Sequence, residues 1–210
     1  MTDCNGQPVL IDGPAGKLEL LCEGNETAER VMIICHPHTL HGGTMQNKVV
    51  HTLARAVAGA GAIAVRFNFR GAGNSEGSYD EGCGELADLI AVRHWVKQQW
   101  PVMQMGVAGF SFGSYVAWQA VAELDAICLI TVAPPVSMYP FERLPTPRIP
   151  WLLVQGEQDE VISATEVLDW ARLHPGVEIS SLADCSHFFH RRLRELSDVV
   201  EQWCKRVFQD

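Results

Sequence analysis

The sequence predicts an α/β protein with a doubly wound, mainly parallel sheet and helices on both faces. Short apolar runs alternate with longer segments of helical periodicity along all 210 residues, which is typical of successive βαβ units. Residues 31–35 are apolar at every position, as in a parallel strand that is covered on both faces. We expect a single domain over residues 1–210, because neither an internal repeat nor a linker interrupts this alternation.

The elements follow in order from the amino terminus. Residues 17–23 alternate apolar and polar side chains, which predicts an edge strand with one buried face. The further predicted strands are 31–35, 62–67, 103–108, 127–132, 151–155 and 177–182, and the predicted helices are about 44–58, 85–99, 113–124 and 189–208. The last helix carries an apolar stripe over fewer than three heptads, which fits packing on the sheet better than a coiled coil.

Composition and charge disfavour several classes of protein. The formal net charge is −9, and no run of Lys or Arg indicates a nucleic-acid-binding surface. The first residues lack the basic start and apolar stretch of a signal peptide, and no segment approaches the about 18 apolar residues of a membrane span. The seven cysteines are scattered without Cys-x-x-Cys pairs, which favours a reduced, cytoplasmic protein. We therefore expect no nucleic-acid or membrane partner, while the oligomeric state stays open.

The segment Gly109-Phe110-Ser111-Phe112-Gly113 carries the strongest chemical signal. A serine with glycine two residues before it and two residues after it, between a strand and a helix, has the form of a nucleophile elbow. The turn strains the serine backbone and lifts Oγ clear of the sheet, and only small residues two positions away leave room for the reversal. The backbone N–H of Phe112, at the start of the helix, is then placed to face an oxyanion.

Two further residues supply the partners that a nucleophilic serine needs, a histidine base and a carboxylate that orients it. Asp159 and His187 each follow a predicted strand, where open α/β sheets build their sites. The chain order Ser, Asp, His is that of the α/β-hydrolases. Glu157 is the alternative acid, and we favour Asp159 because it lies in the middle of the loop. His190 is the alternative base, and we favour His187 because it precedes the predicted last helix. Cys185 is interpreted as a bystander.

The loop 36–43 follows the predicted strand 31–35, where hydrolases of this class keep the second oxyanion donor. Pro37 has no N–H. His38 is therefore the first residue of the loop that can donate, with Leu40 as the alternative. This is a backbone role in which the imidazole takes no part.

Two patterns raise the question of a metal or a cofactor. His36, His38 and His41 resemble the ligand run of metallo-β-lactamase-type hydrolases, but Leu40 stands where an aspartate normally precedes the last histidine. The glycines of loop 70–77 miss the dinucleotide-binding fingerprint by one residue and follow the third predicted strand rather than the first, so a tight turn explains them better. A metal-dependent hydrolase stays as a minor alternative, and we expect neither cofactor nor metal.

Together these segments resemble those of small bacterial α/β-hydrolases without a lid domain, the dienelactone-hydrolase-like group. The resemblance covers about residues 16–208 and rests on segments 36–45, 66–71, 109–113, 156–159 and 187–190. It implies Ser111 as nucleophile, Asp159 as acid and His187 as base of a serine hydrolase for small carboxylic esters or thioesters. Thr39 and His41 depart from the pattern, since we expect proline at 39 and a residue other than histidine at 41 in such relatives.

The connection 133–150 predicts the absence of a lid. It is short and contains six prolines, which leaves no room for a helical cap. Met138, Tyr139 and Phe141 are interpreted either as walls of the site or as residues that pack this loop onto the domain. A non-catalytic binding module with the same fold is the alternative function, and the presence of serine, aspartate and histidine favours the enzyme.

Overall fold

The computed structural model describes residues 6–25, 27–101 and 103–209. Among them, eight strands form one sheet. The strands are β1 (Val9–Gly13), β2 (Gly16–Glu23), β3 (Arg30–Cys35), β4 (Ile63–Phe67), β5 (Gln104–Phe110), β6 (Leu129–Val132), β7 (Trp151–Gly156) and β8 (Val177–Leu182). The helices are α1 (Lys48–Gly59), α2 (Cys83–Gln99), α3 (Phe112–Leu124), α4 (Ala164–Ala171) and α5 (Leu193–Val207), with short 3-10 turns at Thr39–His41 and Phe141–Arg143. Within the described ranges, no helix is both long enough and apolar enough to cross a bilayer.

The sheet has the order β1-β2-β4-β3-β5-β6-β7-β8. The pairs β1–β2 and β2–β4 are antiparallel, and every other neighbouring pair is parallel. The predicted fold class is thus confirmed. Because the carboxyl ends of parallel strands share one edge of the sheet, the loops after β3, β5, β7 and β8 meet there.

Helices cover both faces of the sheet. One apolar cluster holds side chains of α2, α3 and α4, and the other holds side chains of α1 and α5. Alternate residues of β3 enter opposite clusters, since Val31 and Ile33 lie in the first and Met32 and Ile34 in the second. The continuous apolar runs therefore reflect strands that are buried on both faces.

The strand predicted at the edge of the sheet is not an edge strand, because it forms a hairpin with a further strand outside it. β1 was not predicted, and it pairs along the outer side of β2, with Gly13 opposite Gly16 across a two-residue turn. Both faces of β2 are covered as well, since Glu19 and Leu21 are buried beside the apolar positions. A five-residue strand with only three consecutive apolar residues is too short for its periodicity to be distinctive.

Helices depart from the prediction at three places. α4 was missed, although Ser163 and Glu166 carry the Ser-x-x-Glu pattern of a helix start, and the Ser163 hydroxyl accepts the Glu166 N–H. α1 begins four residues later than predicted, where the Asn47 side chain caps it. α5 begins at Leu193 rather than at 189, because Phe189 and Arg191 have φ values of 53° and 63°, which interrupt a right-handed helix.

Candidate active site

The turn between β5 and α3 presents Ser111 at the carboxyl edge of the sheet. Its backbone is left-handed, with φ 53° and ψ −123°, a conformation that costs energy in a residue with a side chain. A Cβ at Gly109 would lie 2.1 Å from the Gly113 carbonyl oxygen, and one at Gly113 would lie 2.4 Å from the Cys35 carbonyl oxygen. The close approach of backbone to backbone therefore requires both glycines.

Ser111, His187 and Asp159 form one hydrogen-bonded chain. His187 Nε2 lies 3.2 Å from Ser111 Oγ, and His187 Nδ1 lies 2.8 Å from Asp159 Oδ2. The imidazole is buried, and its centroid lies 5.1 Å from the rings of both Phe110 and Phe188. Because a carboxylate can only accept, Nδ1 carries the proton and the Nε2 lone pair faces the serine hydroxyl.

The Asp159 carboxylate is held by several donors. Oδ1 accepts the backbone N–H groups of Val161 at 2.9 Å and Ile162 at 2.7 Å. Oδ2 accepts Gln155 Nε2 at 3.0 Å in addition to His187. Burial by itself would raise the pKa of Asp159, but these hydrogen bonds, that from His187 foremost, hold the pKa below its usual range. The carboxylate is therefore ionised at neutral pH.

The two alternative residues point elsewhere. Glu157 is exposed, and its carboxylate accepts the Ser181 hydroxyl at 2.9 Å. His190 is exposed too, with its ring centroid 6.0 Å from that of Phe188. The structure thus brings Asp159 and His187 to the serine, and it leaves Glu157 and His190 at the surface.

Glu160 also touches the site, and sequence reasoning missed it. Its carboxylate accepts the backbone N–H of His187 at 3.1 Å. This contact joins the loop after β7 to the loop after β8. The sequence carries no signal for it, because the acceptor and the donor lie 27 residues apart.

Two backbone N–H groups are candidates for an oxyanion hole. Phe112 is the first residue of α3, and the first N–H groups of a helix have no acceptor within it. His38 lines the same cleft as Ser111. Leu40, the alternative donor, gives its N–H to His38 Nδ1 at 3.2 Å, so the geometry favours His38 over Leu40.

His36 is a structural residue of the loop. It is fully buried, Nε2 accepts the Phe69 N–H at 3.0 Å, and Nδ1 donates to the Pro37 carbonyl at 2.6 Å. Burial lowers its pKa to about 4, so the ring is neutral. Both ring nitrogens of His36 are engaged in hydrogen bonds, so the ring has no lone pair left for a metal. The alternative prediction of a metal site made by His36, His38 and His41 is therefore wrong. The described residues hold no cluster of three or more metal-ligating side chains.

Residues at the end of β4 and just after it are hydrogen-bonded to the loop 36–45. Besides the Phe69 bond to His36, Asn68 Oδ1 accepts the Met45 N–H at 2.8 Å, and Arg66 donates to the Met45 carbonyl at 2.7 Å. Arg66 and Asn68 are both buried. Through these hydrogen bonds, Arg66, Asn68 and Phe69 hold the loop 36–45 against the sheet.

A cleft of about 230 Å³ opens beside Ser111. Its lining includes His38, His41, Ser111, Val161, His187 and Phe188. Val161 and Phe188 are 46% and 41% exposed, and they form apolar walls at the mouth. The site is therefore small, and it opens directly to solvent.

The connection between β6 and β7 contributes no residue to the lining of this cleft. Phe141 is buried, with ring centroids 5.3 Å from Tyr115 and 5.5 Å from Trp118. Tyr139 stacks on Tyr115 at 4.8 Å, and Met138 is exposed. Of the two interpretations of these residues, packing of the loop onto the domain is correct for Phe141 and Tyr139, and Met138 is not part of the cleft lining.

Cys185 belongs to the core. Its side chain is buried in the cluster that includes α5, and burial raises the pKa of the thiol to about 11. Its carbonyl accepts the Gln158 N–H at 3.0 Å. A protonated, buried thiol of this kind is inert as a nucleophile.

The fold is that of a known class of proteins. Residues 29–209 match the family model described as an α/β hydrolase domain, and the chain belongs to this family. Within the family, it is one of the small serine hydrolases without a lid. The solved structure of an α/β serine hydrolase homologue from Coxiella burnetii is similar with a TM-score of 0.90 and 44% identity, covering 96% of this chain and 97% of that one.

Two further relatives are similar to this chain over most of its length. A serine hydrolase without a lid from Xanthomonas campestris has a TM-score of 0.90 and 38% identity, covering 95% of this chain and 94% of that one. An uncharacterized protein of Rickettsia prowazekii is 30% identical over 207 residues, which cover 93% of this chain and 87% of that protein. These similarities extend over nearly the whole chain, and they support hydrolase activity without specifying a substrate.

Proposed function

We propose that this hydrolase cleaves carboxylic ester or thioester bonds of small substrates through an acyl-enzyme. Ser111 is the nucleophile, His187 the base and Asp159 the acid. The observation that carries the proposal is the hydrogen-bonded chain from Asp159 Oδ2 through His187 to Ser111 Oγ, with links of 2.8 and 3.2 Å. Membership of the lidless serine hydrolases supports it.

Acylation begins when Ser111 Oγ attacks the substrate carbonyl carbon and His187 Nε2 takes the hydroxyl proton. The ionised Asp159 carboxylate stabilises the imidazolium that forms. The N–H groups of Phe112 and His38 donate to the oxyanion, and in comparable sites each such donor lowers the barrier by about 3–4 kcal/mol. His187 then protonates the departing alcohol or thiol, and the acyl group stays on Ser111.

Deacylation repeats these steps with water. His187 removes a proton from a water molecule, whose oxygen attacks the acyl carbonyl, and the same N–H groups stabilise the second oxyanion. The carboxylic acid leaves as His187 returns the proton to Ser111 Oγ. The open cleft gives water direct access to the acyl-enzyme.

A covalent probe tests the proposal without knowledge of the substrate. We expect a fluorophosphonate to add one label to the wild-type protein, at Ser111 by peptide mapping, and no label to His187→Ala. Ser111→Ala should lose p-nitrophenyl acetate turnover by orders of magnitude and keep its circular dichroism spectrum. Ser186→Ala is the matched control, because Ser186 is next to His187 but its hydroxyl has no partner among the described residues. This variant should be labelled normally.

The same experiment covers the alternative function. A folded wild-type protein that takes no label and hydrolyses no ester would contradict the enzyme and favour the non-catalytic binding module. Labelling at a residue other than Ser111 would overturn the assignment of the nucleophile.

The cysteines bear on where the enzyme works. Among the described residues, Cys35, Cys83, Cys128, Cys185 and Cys204 are free, and four of these five are buried. Free thiols such as these favour a reducing compartment. We infer a cytoplasmic enzyme on this ground.

A further inference from the structure

Gln155 is a buried polar residue at the carboxyl end of β7. Its side-chain nitrogen Nε2 donates to Asp159 Oδ2 at 3.0 Å and to the Gly156 carbonyl at 3.1 Å. Its Oε1 is buried and has no partner in the part of the chain that the structure describes. Because both neighbours of one end of the amide are acceptors, that end must be the NH₂ group.

This amide connects the strand β7 to the carboxylate of Asp159. The carboxylate of Asp159 accepts four hydrogen bonds, one from His187 and two from backbone groups of its own loop, Val161 and Ile162. Gln155 gives the fourth, and it stands on a strand rather than on a loop. It donates to the same oxygen that faces His187, so it fixes the rotation of the carboxylate about its bond to Cβ.

Packing alone would place an apolar residue here. Trp151 and Leu153, on the same face of β7, are both buried in the apolar cluster. An amide buried with one end unpartnered lowers stability relative to a well-packed apolar side chain. The benefit of the amide therefore lies in the site and not in the core.

We propose that Gln155 is a positioning residue, which holds Asp159 Oδ2 toward His187 and so keeps the imidazole aligned with Ser111. This role rests on the proposed function of the three residues. Gln155 does not line the cleft, so it acts through Asp159 and makes no contact with the substrate. Loss of this alignment should slow the attack of the serine, because small displacements of catalytic groups reduce rates strongly.

The test replaces Gln155 by apolar residues of similar size. Gln155→Met and Gln155→Leu remove the donor and the unpartnered oxygen together, and the Gly156 carbonyl keeps the Asp159 N–H. We expect a melting temperature no lower than that of the wild type. The rate of fluorophosphonate labelling at Ser111 per folded molecule should fall about tenfold or more. The downfield NMR resonance of the His187 Nδ1 proton, identified by its loss in His187→Ala, should shift.

Leu153→Met is the matched control, since it changes a buried residue of the same strand and face at nearly constant volume. It should keep the wild-type labelling rate and resonance. If both Gln155 variants label at the wild-type rate with an unshifted resonance, Gln155 has only a structural role. A wild-type protein that does not label at Ser111 would instead overturn the proposed function, and the role of Gln155 with it.

Discussion

At the scale of single residues, two buried histidines differ in what their ring nitrogens do. His36 has both nitrogens bonded to backbone groups of Phe69 and Pro37. His187 has one nitrogen bonded to Asp159 and the other directed at Ser111 Oγ. Only the second arrangement leaves a lone pair facing a group that can give up a proton. Both rings are buried, so their hydrogen-bond partners and not their burial distinguish them.

His36 predicts a pH dependence of stability. Burial lowers its pKa from 6.5 to about 4 in the folded chain, while the unfolded chain keeps the ordinary value. Between these values the unfolded state binds more protons, so the free energy of unfolding falls as the pH falls from 6.5 toward 4. The loss should be on the order of 3 kcal/mol. Urea unfolding at several pH values should show this slope in the wild type and a flatter one in His36→Gln.

The exposed His51 provides the control. His51→Gln should follow the wild-type slope, because this substitution changes an exposed histidine and leaves His36 and its hydrogen bonds in place. Equal slopes for His36→Gln and the wild type would contradict a neutral, buried His36.

At the scale of elements, the site depends on where short segments begin. The 3-10 turn Thr39–His41 starts after His38, whose imidazole accepts the Leu40 N–H. Helix α3 starts after Ser111. Both starts leave backbone N–H groups without partners in their own segments. The residues that precede these starts, His38 and Ser111, line the cleft, whereas the interior of α3 packs in the apolar core.

The substitution His38→Pro distinguishes the role of the His38 backbone N–H from that of its imidazole. The φ value of His38 is −53°, which proline adopts readily, so His38→Pro should fold while removing the N–H. His38→Ala keeps the N–H, and both variants lose the imidazole. We expect kcat/KM for p-nitrophenyl acetate to be about 10²–10³ lower in His38→Pro than in His38→Ala. Equal activities in two folded variants would exclude the His38 N–H as an oxyanion donor.

At the scale of the whole molecule, the short connection between β6 and β7 determines how open the site is. It is anchored by Phe141 against Trp118 and leaves the cleft uncovered. The walls that remain, Val161 and Phe188, come from the loops that carry Asp159 and His187. The same loops therefore determine both the hydrogen bond between Asp159 and His187 and the size of the cleft.

This openness predicts a preference for short acyl chains. Across p-nitrophenyl esters from two to sixteen carbons, kcat/KM should peak at the short end, because a cleft of about 230 Å³ offers a long chain little apolar surface. Phe188→Ala should move the optimum toward longer chains by removing a wall. Leu173→Ala, at a residue 79% exposed and outside the cleft, should leave it unchanged. A wild-type maximum at the long end would contradict the preference predicted from the size of this cleft.

The sequence by itself determined the fold class and most of the sheet. Strands buried on both faces need apolar side chains at nearly every position, and the elbow needs glycines because backbone atoms lie too close there for a Cβ. Such requirements are local, so a single sequence displays them. The same patterns marked Ser111, Asp159 and His187 as candidates, and the structure then placed His187 within hydrogen-bond distance of both Ser111 and Asp159.

The tertiary structure alone decided the elements and partners that have no local pattern. β1 is a strand because it pairs with β2, and α5 starts late because positive φ values precede it. His36 is structural because an N–H 33 residues away reaches its ring. Gln155 donates to the Asp159 carboxylate because the loop after β7 brings that carboxylate within 3.0 Å of the amide nitrogen. A hydrogen bond needs distance and direction between two atoms, and the path of the chain supplies both only once the fold has formed.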